Sequence, residues 1–310
     1  MLLCNYNHSK YIGEAIQSFL DQTLPADEIV VIDDGSTDNS LEVLRPLAGA
    51  GYIRLIALPQ NVGVTRAFAR GLEEVKGEYM LALAADDKSL PNFFEHVLGL
   101  LEKHPHAPFG VGCIHEWFPD GVSRLELPAH QKVTMRAMPG PTYVSPATTF
   151  NLERSHVPSG LMGYGAVFRT ELMRQIMADV GNAGHLIDWF VMRVMAFRAG
   201  YCFLPEVVMH RRNLAGSISD GATRHWPVRK QACLEVLRLL NLPAYADVKP
   251  QFRESGALAV GGYRAVLMLL CEPRYWEYVN RPLLFKGILN FVASVMPVGW
   301  KSALRALQRV

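Results

Sequence analysis

The sequence predicts an α/β fold: a mostly parallel sheet flanked by helices, Rossmann-like in order, followed by a C-terminal helical appendage. Three observations carry this. Short apolar runs at 29–32 and 79–85 end abruptly in the acids Asp33-Asp34 and Asp86-Asp87, as buried strands do where their carboxyl ends face a ligand crevice. Helical periodicity fills the intervals, so the first hundred residues read β-α-β-α-β, an order that implies parallel strands with crossover helices. After about residue 222 the pattern is helical alone.

Residues 8–24 place Ile12, Ala15, Ile16, Phe19 and Leu20 on one face of a helix. Strand 29–32 follows, then a polar turn into a helix near 38–48 and a short strand from Tyr52 to Leu58. Asn61-Val62-Gly63 is a turn, 64–75 is helical with Gly77 ending it, and strand 79–85 and helix 91–103 complete the series. Residues 105–155 are richer in Pro and Gly and less periodic, which predicts strands and loops. Helices are expected at 169–180 and 186–199, and then at 228–241, 255–271 and 283–308. In the last of these Lys286, Asn290 and Ser294 form one polar stripe, and Lys301, Arg305 and Arg309 form another beyond Pro297, leaving a wide apolar face.

With 310 residues, half of them hydrophobic, the chain is long enough to bury a full core. Its five cysteines are scattered and include no C-x-x-C pair, which argues against a disulfide framework or a zinc site and fits a reducing cytoplasm. The net charge of +2 hides an asymmetry: from Arg224 onward there are 13 Lys/Arg against 5 Asp/Glu, so the tail carries +8 and the body −6. Polar residues follow Met1-Leu2-Leu3-Cys4 at once, so no signal peptide is expected. The longest apolar stretches are interrupted by Arg264, Lys286 and Pro297, so no spanning helix is expected either.

Two acidic strand ends in one nucleotide-sized domain point to a diphosphate held through a divalent metal. Taken alone, Asp33-Asp34 also reads as an Asx turn with a helix cap from Ser36 or Asp38, and Asp86-Asp87 as the cap of helix 91–103. A dehalogenase-type phosphatase needs its two acids two positions apart, so that both project from one strand end, whereas Asp33 and Asp34 are adjacent. A dinucleotide oxidoreductase lacks its G-x-G-x-x-G after the first strand. A nucleotidyltransferase would carry a Gly-rich basic phosphate loop where this chain has Asn5-Tyr6-Asn7-His8.

Several motifs in order resemble the family 2 glycosyltransferases, the nucleotide-sugar-dependent enzymes of the GT-A fold. Asn5-Tyr6-Asn7-His8 is similar to the family's Y-N opening, although the preceding strand, Leu2-Leu3-Cys4, is shorter than usual. Ser18-Phe19-Leu20-Asp21-Gln22-Thr23 resembles its S-[IL]-L-x-Q-T segment, and Val31-Ile32-Asp33-Asp34-Gly35-Ser36-Thr37-Asp38 resembles its most recognisable motif. Asn61-x-Gly63 with Arg66, Gly77-Glu78-Tyr79 and Ala85-Asp86-Asp87-x-x-Leu90-Pro91 continue the series, and the resemblance extends to about residue 220. It implies a catalytic domain over 1–222, with a nucleotide-sugar-binding half at 1–104 and an acceptor-binding half at 105–222, before the helical region 223–310. An inverting transferase is implied, moving a sugar from a nucleotide donor, UDP rather than GDP or dTDP, to a saccharide or lipid-linked acceptor in cell-surface polysaccharide biosynthesis.

The resemblance also assigns roles. Tyr6 lays its ring against the base, Asp34 accepts from the base's ring N–H with Cys4 beside it, and Arg66 completes the nucleotide site. Asp86 and Asp87 hold Mn²⁺ or Mg²⁺, with Asp86 also reaching the nucleotide, although Ala84 stands where the commoner D-x-D-D form has its first acid. Asp188 falls where the family has the second residue of E-D, with Ile187 in place of the Glu, and is the expected general base. Cations of His210, Arg211 and Arg212 are expected to close over the diphosphate. No nucleic-acid partner is expected. The basic tail is expected to sit on the catalytic body, on a second copy in a homodimer, or at the inner face of a membrane as a peripheral anchor. The readings left open are a non-catalytic membrane-associated assembly partner, which Ala84 and Ile187 would favour, and a nucleotidyltransferase.

Overall fold

The computed structural model describes residues 1–118, 124–155, 161, 165–180, 186–214 and 225–295. Its first third alternates as expected: β1 (Leu2–Asn5), α1 (Ile12–Leu20), β2 (Val30–Asp33), α2 (Ser40–Gly49), β3 (Arg54–Ala57), α3 (Val64–Glu74) and β4 (Tyr79–Ala84). Each of the pairs β3-β2, β2-β1 and β1-β4 is parallel. Side chains alternate across these strands. Leu2, Val30 and Ile32 face a core that includes Ala67 and Leu72 of α3, while Leu3 and Val31 face another with Ile12, Ile16 and Phe19 of α1. Burial on both faces is why the strands read as continuous apolar runs. Gly71 lets α3 press on the sheet, since a Cβ there would stand 2.6 Å from Leu2 and 2.7 Å from Ile32 side-chain carbons.

The chain continues through β5 (Lys88–Ser89), α4 (Phe93–Lys103), β6 (Phe109–Phe118), β7 (Arg124–Glu126), α5 (Ala129–Ala137), β8 (Thr142–Val144), α6 (Pro146–Arg154), β9 (Ala166–Arg169), α7 (Thr170–Val180), α8 (Ile187–Ala199) and β10 (Tyr201–Arg212). The sheet order is β3-β2-β1-β4-β9-β6-β10-β5, with β7 beside β6 and β8 beside β10. β9 is antiparallel to both β4 and β6, and β6 is parallel to β10. Hence β6 and β10 run in the same sense as β1 to β4, and all their carboxyl ends lie along one edge of the sheet. The chain leaves β1 toward β2 and β3 and then returns to β4 on the other side, which makes the end of β1 a topological switch point.

The expectation of strands and loops alone over 105–155 is corrected by α5 and α6. For α6 the signal was present: the Ser145 hydroxyl accepts from Thr148 N at 3.2 Å and Pro146 occupies the first turn, a cap and start signal set in a stretch without clear periodicity.

Among the described residues four α-helices follow: α9 (Trp226–Leu240), α10 (Lys249–Ser255), α11 (Tyr263–Cys271) and α12 (Arg281–Val295). The helix expected over 255–271 is broken. Gly256 is left-handed at φ 69°, a 3₁₀ turn spans Ala257–Gly261, and Gly262 at φ 76° precedes α11. A Cβ on Gly256 would lie 2.7 Å from Leu283 N, so the glycine also admits the start of α12. The rest of the helix expected to residue 308, with the Lys301, Arg305 and Arg309 stripe, lies outside the described residues. These helices share a core with the body: Phe252 packs on Trp189, Phe190 and Phe197 of α8 at ring separations of 5.8, 5.6 and 5.2 Å. Among the described residues no helix is long and apolar enough to cross a membrane.

Candidate active site

The parallel register brings the motif residues together before any side chain is considered. Cys4 of β1 lies between Ile32 of β2 and Ala84 of β4, and Asn5 pairs with Asp33, so the turns carrying Tyr6, Asp34 and Asp86-Asp87 leave adjacent strands at the same edge. β10 delivers His210, Arg211 and Arg212 to that edge, and the Arg212 backbone N–H donates to Asp87 Oδ1 at 2.8 Å.

On the β1–β2 side the turn is laced internally. Asp33, fully buried, accepts from Asn5 Nδ2 at 2.7 Å, Ser36 N at 3.0 Å and Ser36 Oγ at 2.7 Å, which is the work of an Asx turn. Asp34 is also buried and accepts from Val62 N at 2.7 Å and Gly63 N at 3.0 Å, tying the second turn to the entry of α3. A carboxylate has about four acceptor sites, so these two bonds leave capacity for a base N–H. Gly35, at φ 66°, is required because a Cβ would lie 2.4 Å from the Gln60 carbonyl carbon. Burial, reinforced by the Asp34 charge, pushes the Cys4 thiol up to about 12, so Cys4 serves as a neutral wall. Tyr6 stands 41% exposed at the mouth, free to present a ring face, and Arg66 is exposed on the first turn of α3.

Asp38 holds the loop that carries Tyr6. Its Oδ2 accepts from Ser9 N at 2.9 Å and its Oδ1 from Ser40 N at 2.9 Å and Ser40 Oγ at 2.5 Å. Partial burial opposes ionisation, but the hydrogen bonds from Ser40 and Ser9 outweigh it and draw the carboxyl down to about 2. A depressed carboxylate pKa contributes stability above its unfolded value that is lost as pH falls through the folded one. Asp38→Asn is therefore expected to cost about 1–2 kcal/mol near neutrality, the gap to wild type closing as the pH falls from about 4 toward 2. Urea melts at both ends of that range check it, and a gap independent of pH would contradict it.

On the β4 side Asp87 is 4% exposed, and burial together with the neighbouring Asp86 pushes its carboxyl up to about 8, against the opposing Arg212 N–H and Arg211 charge. A hard cation would reverse this by favouring the carboxylate. Among the described residues no group of three or more His, Cys, Asp or Glu is poised to hold a metal. Two carboxylates completed by substrate phosphates and water is, however, the donor set that Mg²⁺ commonly takes, so the residues present fit a diphosphate-bound divalent ion. Ala84 is exposed where the commoner motif has its first acid.

Of the three expected cations, Arg212 is committed elsewhere. Its guanidinium is 6% exposed, pairs with Glu14 of α1 at 2.8 Å, and lies between the rings of Tyr11 at 4.3 Å and Trp117 at 4.0 Å. The expectation that it closes over the diphosphate is corrected by this cage, which uses it to hold Asp87 through its backbone. Arg211 pairs with Glu116 at 3.5 Å, and His210 stacks on His115 at 5.7 Å. Burial, then the neighbouring His115 and Lys88, lower the His210 pKa, so it is a neutral hydrogen-bonding group near neutrality rather than a cation. Glu14, Tyr11, Trp117 and His115 are the contributors that sequence reasoning missed; they come from elements distant along the chain, and no spacing relates them.

Asp188 occupies the first turn of α8 with its side chain exposed, accepting from Trp189 N at 2.7 Å. Desolvation by the protein around that open side chain raises its carboxyl above the usual range, opposed by the Trp189 N–H and the charges of Arg193 and Arg211. The Arg211 charge thus reaches both Asp87 and Asp188.

The sequence model described as glycosyl transferase family 2 matches residues 1–175, more than half of the chain. The chain belongs to that family. It is 36% identical over 107 residues to an uncharacterized glycosyltransferase of Haemophilus influenzae, a stretch covering 34% of this chain and 33% of the relative. It is 30% identical over 130 residues to the amylovoran biosynthesis glycosyltransferase AmsE of Erwinia amylovora, covering 41% and 48%. The match therefore spans less than half the length of these relatives. Among solved structures, S. aureus TarS 1-349 in complex with UDP-GlcNAc superposes with a TM-score of 0.60 at 15% identity, covering 99% of this chain and 88% of that one. The mannosyltransferase PcManGT of Pyrobaculum calidifontis, in complex with GDP-Man and Mn²⁺, gives 0.54 at 16% identity, covering 99% and 84%. At such identities these likenesses establish the GT-A fold.

The matched segment takes in the β1–β4 half with its laced turns and continues through β9, whereas Asp188 and β10 lie beyond it.

Proposed function

We propose that the protein transfers a sugar from a nucleoside-diphosphate sugar, a UDP-sugar in preference to a GDP-sugar, to a hydroxyl of a saccharide or lipid-linked acceptor in cell-surface polysaccharide biosynthesis at the inner face of a membrane. The observation that carries this reading is the convergence of the turns bearing Asp34, Asp86 and Asp87 at the switch point beside β1, where β10 also delivers Arg211, whose charge reaches Asp188. Tyr6 stacks on the base while Asp34 accepts its ring N–H and Cys4 walls the pocket. Arg66, His210 and Arg211 contact the donor's ribose and phosphates. Asp86 and Asp87 would hold Mn²⁺ or Mg²⁺, whose role is to neutralise charge on the departing diphosphate. Asp188 takes the acceptor hydroxyl's proton as that oxygen attacks the anomeric carbon from the face opposite the leaving group, so one displacement inverts the configuration.

A thermal-shift panel of UDP-, GDP- and dTDP-sugars with Mn²⁺ and with EDTA tests the donor side, because a ligand that binds only the native state raises its melting temperature. UDP-sugars with Mn²⁺ are expected to give the largest shift. Equal shifts in EDTA would sink the metal-dependent reading. Donor binding without hydrolysis or transfer to any acceptor extract would leave a non-catalytic assembly partner as the better account.

A further inference from the structure

We propose that the outward face of α11 and α12 is a docking surface for an anionic lipid bilayer. The inference rests on the functional reading above only for the place where the acceptor resides; the surface itself stands on the geometry of these two helices.

An amphipathic helix on a protein normally turns its apolar side inward. In α12 the arrangement is reversed. Lys286 Nζ donates to the backbone oxygens of Glu153 and Ser255, and Asn290 Nδ2 donates to Ala259 O at 3.1 Å, so the polar stripe is spent on the protein side beside Leu283 and Gly287. The opposite side shows Ile288 at 61%, Phe291 at 48% and Val295 at 64% exposure. Tyr263 of α11 packs on Phe291 with ring centroids 5.4 Å apart, which joins this strip to Leu267 and Leu270 on the same face of α11. Trp276 extends it, 59% exposed, its Nε1 donating to Leu270 O at 2.9 Å. Apolar side chains exposed contiguously on two helices, with an indole at the edge, are the features of a face that meets an apolar medium.

Charge decides between a bilayer and a second copy of the chain. Arg264 and Arg281 are exposed around the strip, and the nearby acids are balanced by cations, Glu272 by Arg274 at 2.5 Å and Glu277 by Lys249 at 3.0 Å. The sequence after Val295 adds Lys301, Arg305 and Arg309 and no acid, within a tail of +8. Two such faces opposed in a dimer would bring like charges together, whereas an anionic headgroup layer complements them. The surface also lies close to the acceptor side: Glu153, which accepts from Lys286, pairs with Arg193 of α8 at 2.9 Å, and Arg193 acts on the Asp188 carboxyl. A chain seated through α11 and α12 would hold its acceptor crevice near the headgroup plane.

Flotation of the full-length protein with phosphatidylcholine vesicles, with and without phosphatidylglycerol, tests this. Wild type is expected to partition at least about tenfold more strongly onto the anionic vesicles and to release as NaCl is raised, because surface electrostatics are screened. The Ile288→Glu/Phe291→Glu double variant, altered only at exposed positions, is expected to lose about tenfold or more while keeping its melting temperature and its UDP–Mn²⁺ shift. Absence of wild-type flotation, equal partition onto both vesicle types, or equal partition of variant and wild type overturns the proposal. So does a vesicle-free wild type that is dimeric where the double variant is monomeric, which assigns the face to a second copy. Partitioning is read without donor or acceptor, so a chain that binds vesicles but transfers no sugar sinks the transferase reading and leaves this surface standing.

Discussion

Asp188→Asn is expected to lower kcat by about 10²- to 10⁴-fold, the range typical of a positioned proton transfer. The substitution is nearly isosteric, so the Trp189 N–H that donates to Asp188 Oδ1 at 2.7 Å keeps an oxygen to bond to and the start of α8 is preserved. Desolvation by the surrounding protein raises the Asp188 carboxyl above the ordinary value while Arg193 and Arg211 moderate the rise, which moves the group toward the basicity that abstraction of a hydroxyl proton needs. Because the proton moves only in the transition state, the donor KM and the UDP–Mn²⁺ thermal shift should be almost unchanged. Steady-state kinetics with NMR analysis of the product's anomeric configuration checks both parts. Near-normal turnover in the variant, or retention of configuration, would remove Asp188 from the role of base.

Asp87→Ala is expected to abolish the metal-dependent component of UDP binding, weakening it by at least about 10²-fold, beyond the roughly 10- to 100-fold typical when only an outer-shell partner of a metal is lost. Asp87 is the more committed acid of its pair: it is 4% exposed, anchored by the Arg212 N–H, and pushed up to about 8 by burial and by Asp86. A carboxylate kept under that strain gains most when a cation arrives. Titration calorimetry with UDP in Mn²⁺ and in EDTA is the measurement. Wild type and variant should differ in Mn²⁺ and coincide in EDTA, and an Asp87→Ala chain that still responds to Mn²⁺ would contradict the assignment. Arg212 is itself held by Glu14, Tyr11 and Trp117, so the N–H that anchors Asp87 is fixed by contacts independent of any ligand.

The β1–β4 half was legible because its determinants are local. Val30-Val31-Ile32 is apolar on both faces and ends at Asp33, so period, length and boundary agree. The same holds for the start of α3, where Asn61 and Gly63 mark a turn whose amides Asp34 then captures. Residues 105–155 were less legible. Helices α5 and α6 bury little of themselves, and the Ser145-Pro146 start signal stood without the periodic run that normally confirms it. The break within 255–271 carries a local signal in the Gly261-Gly262 pair, a turn dipeptide, whereas Gly256 alone is compatible with a helical pattern and only the approach of Pro282 and Leu283 makes that glycine obligatory.

By itself the sequence determined the fold class, the family and the two acidic turns, since strand period, turn chemistry and motif order are all encoded within a few residues of one another. It also determined that α12 has a polar stripe and an apolar face. Tertiary structure alone decided which side of that helix meets the protein, because the carbonyls of Glu153, Ser255 and Ala259, far off in sequence, accept from Lys286 and Asn290 and hold them inward. It likewise decided that the Arg212 guanidinium is held by Glu14, Tyr11 and Trp117 while the Arg211 charge reaches both Asp87 and Asp188. Adjacent residues on one strand point to opposite faces, and which face holds the partner depends on where α1 and β6 pack, a long-range fact that no local pattern contains.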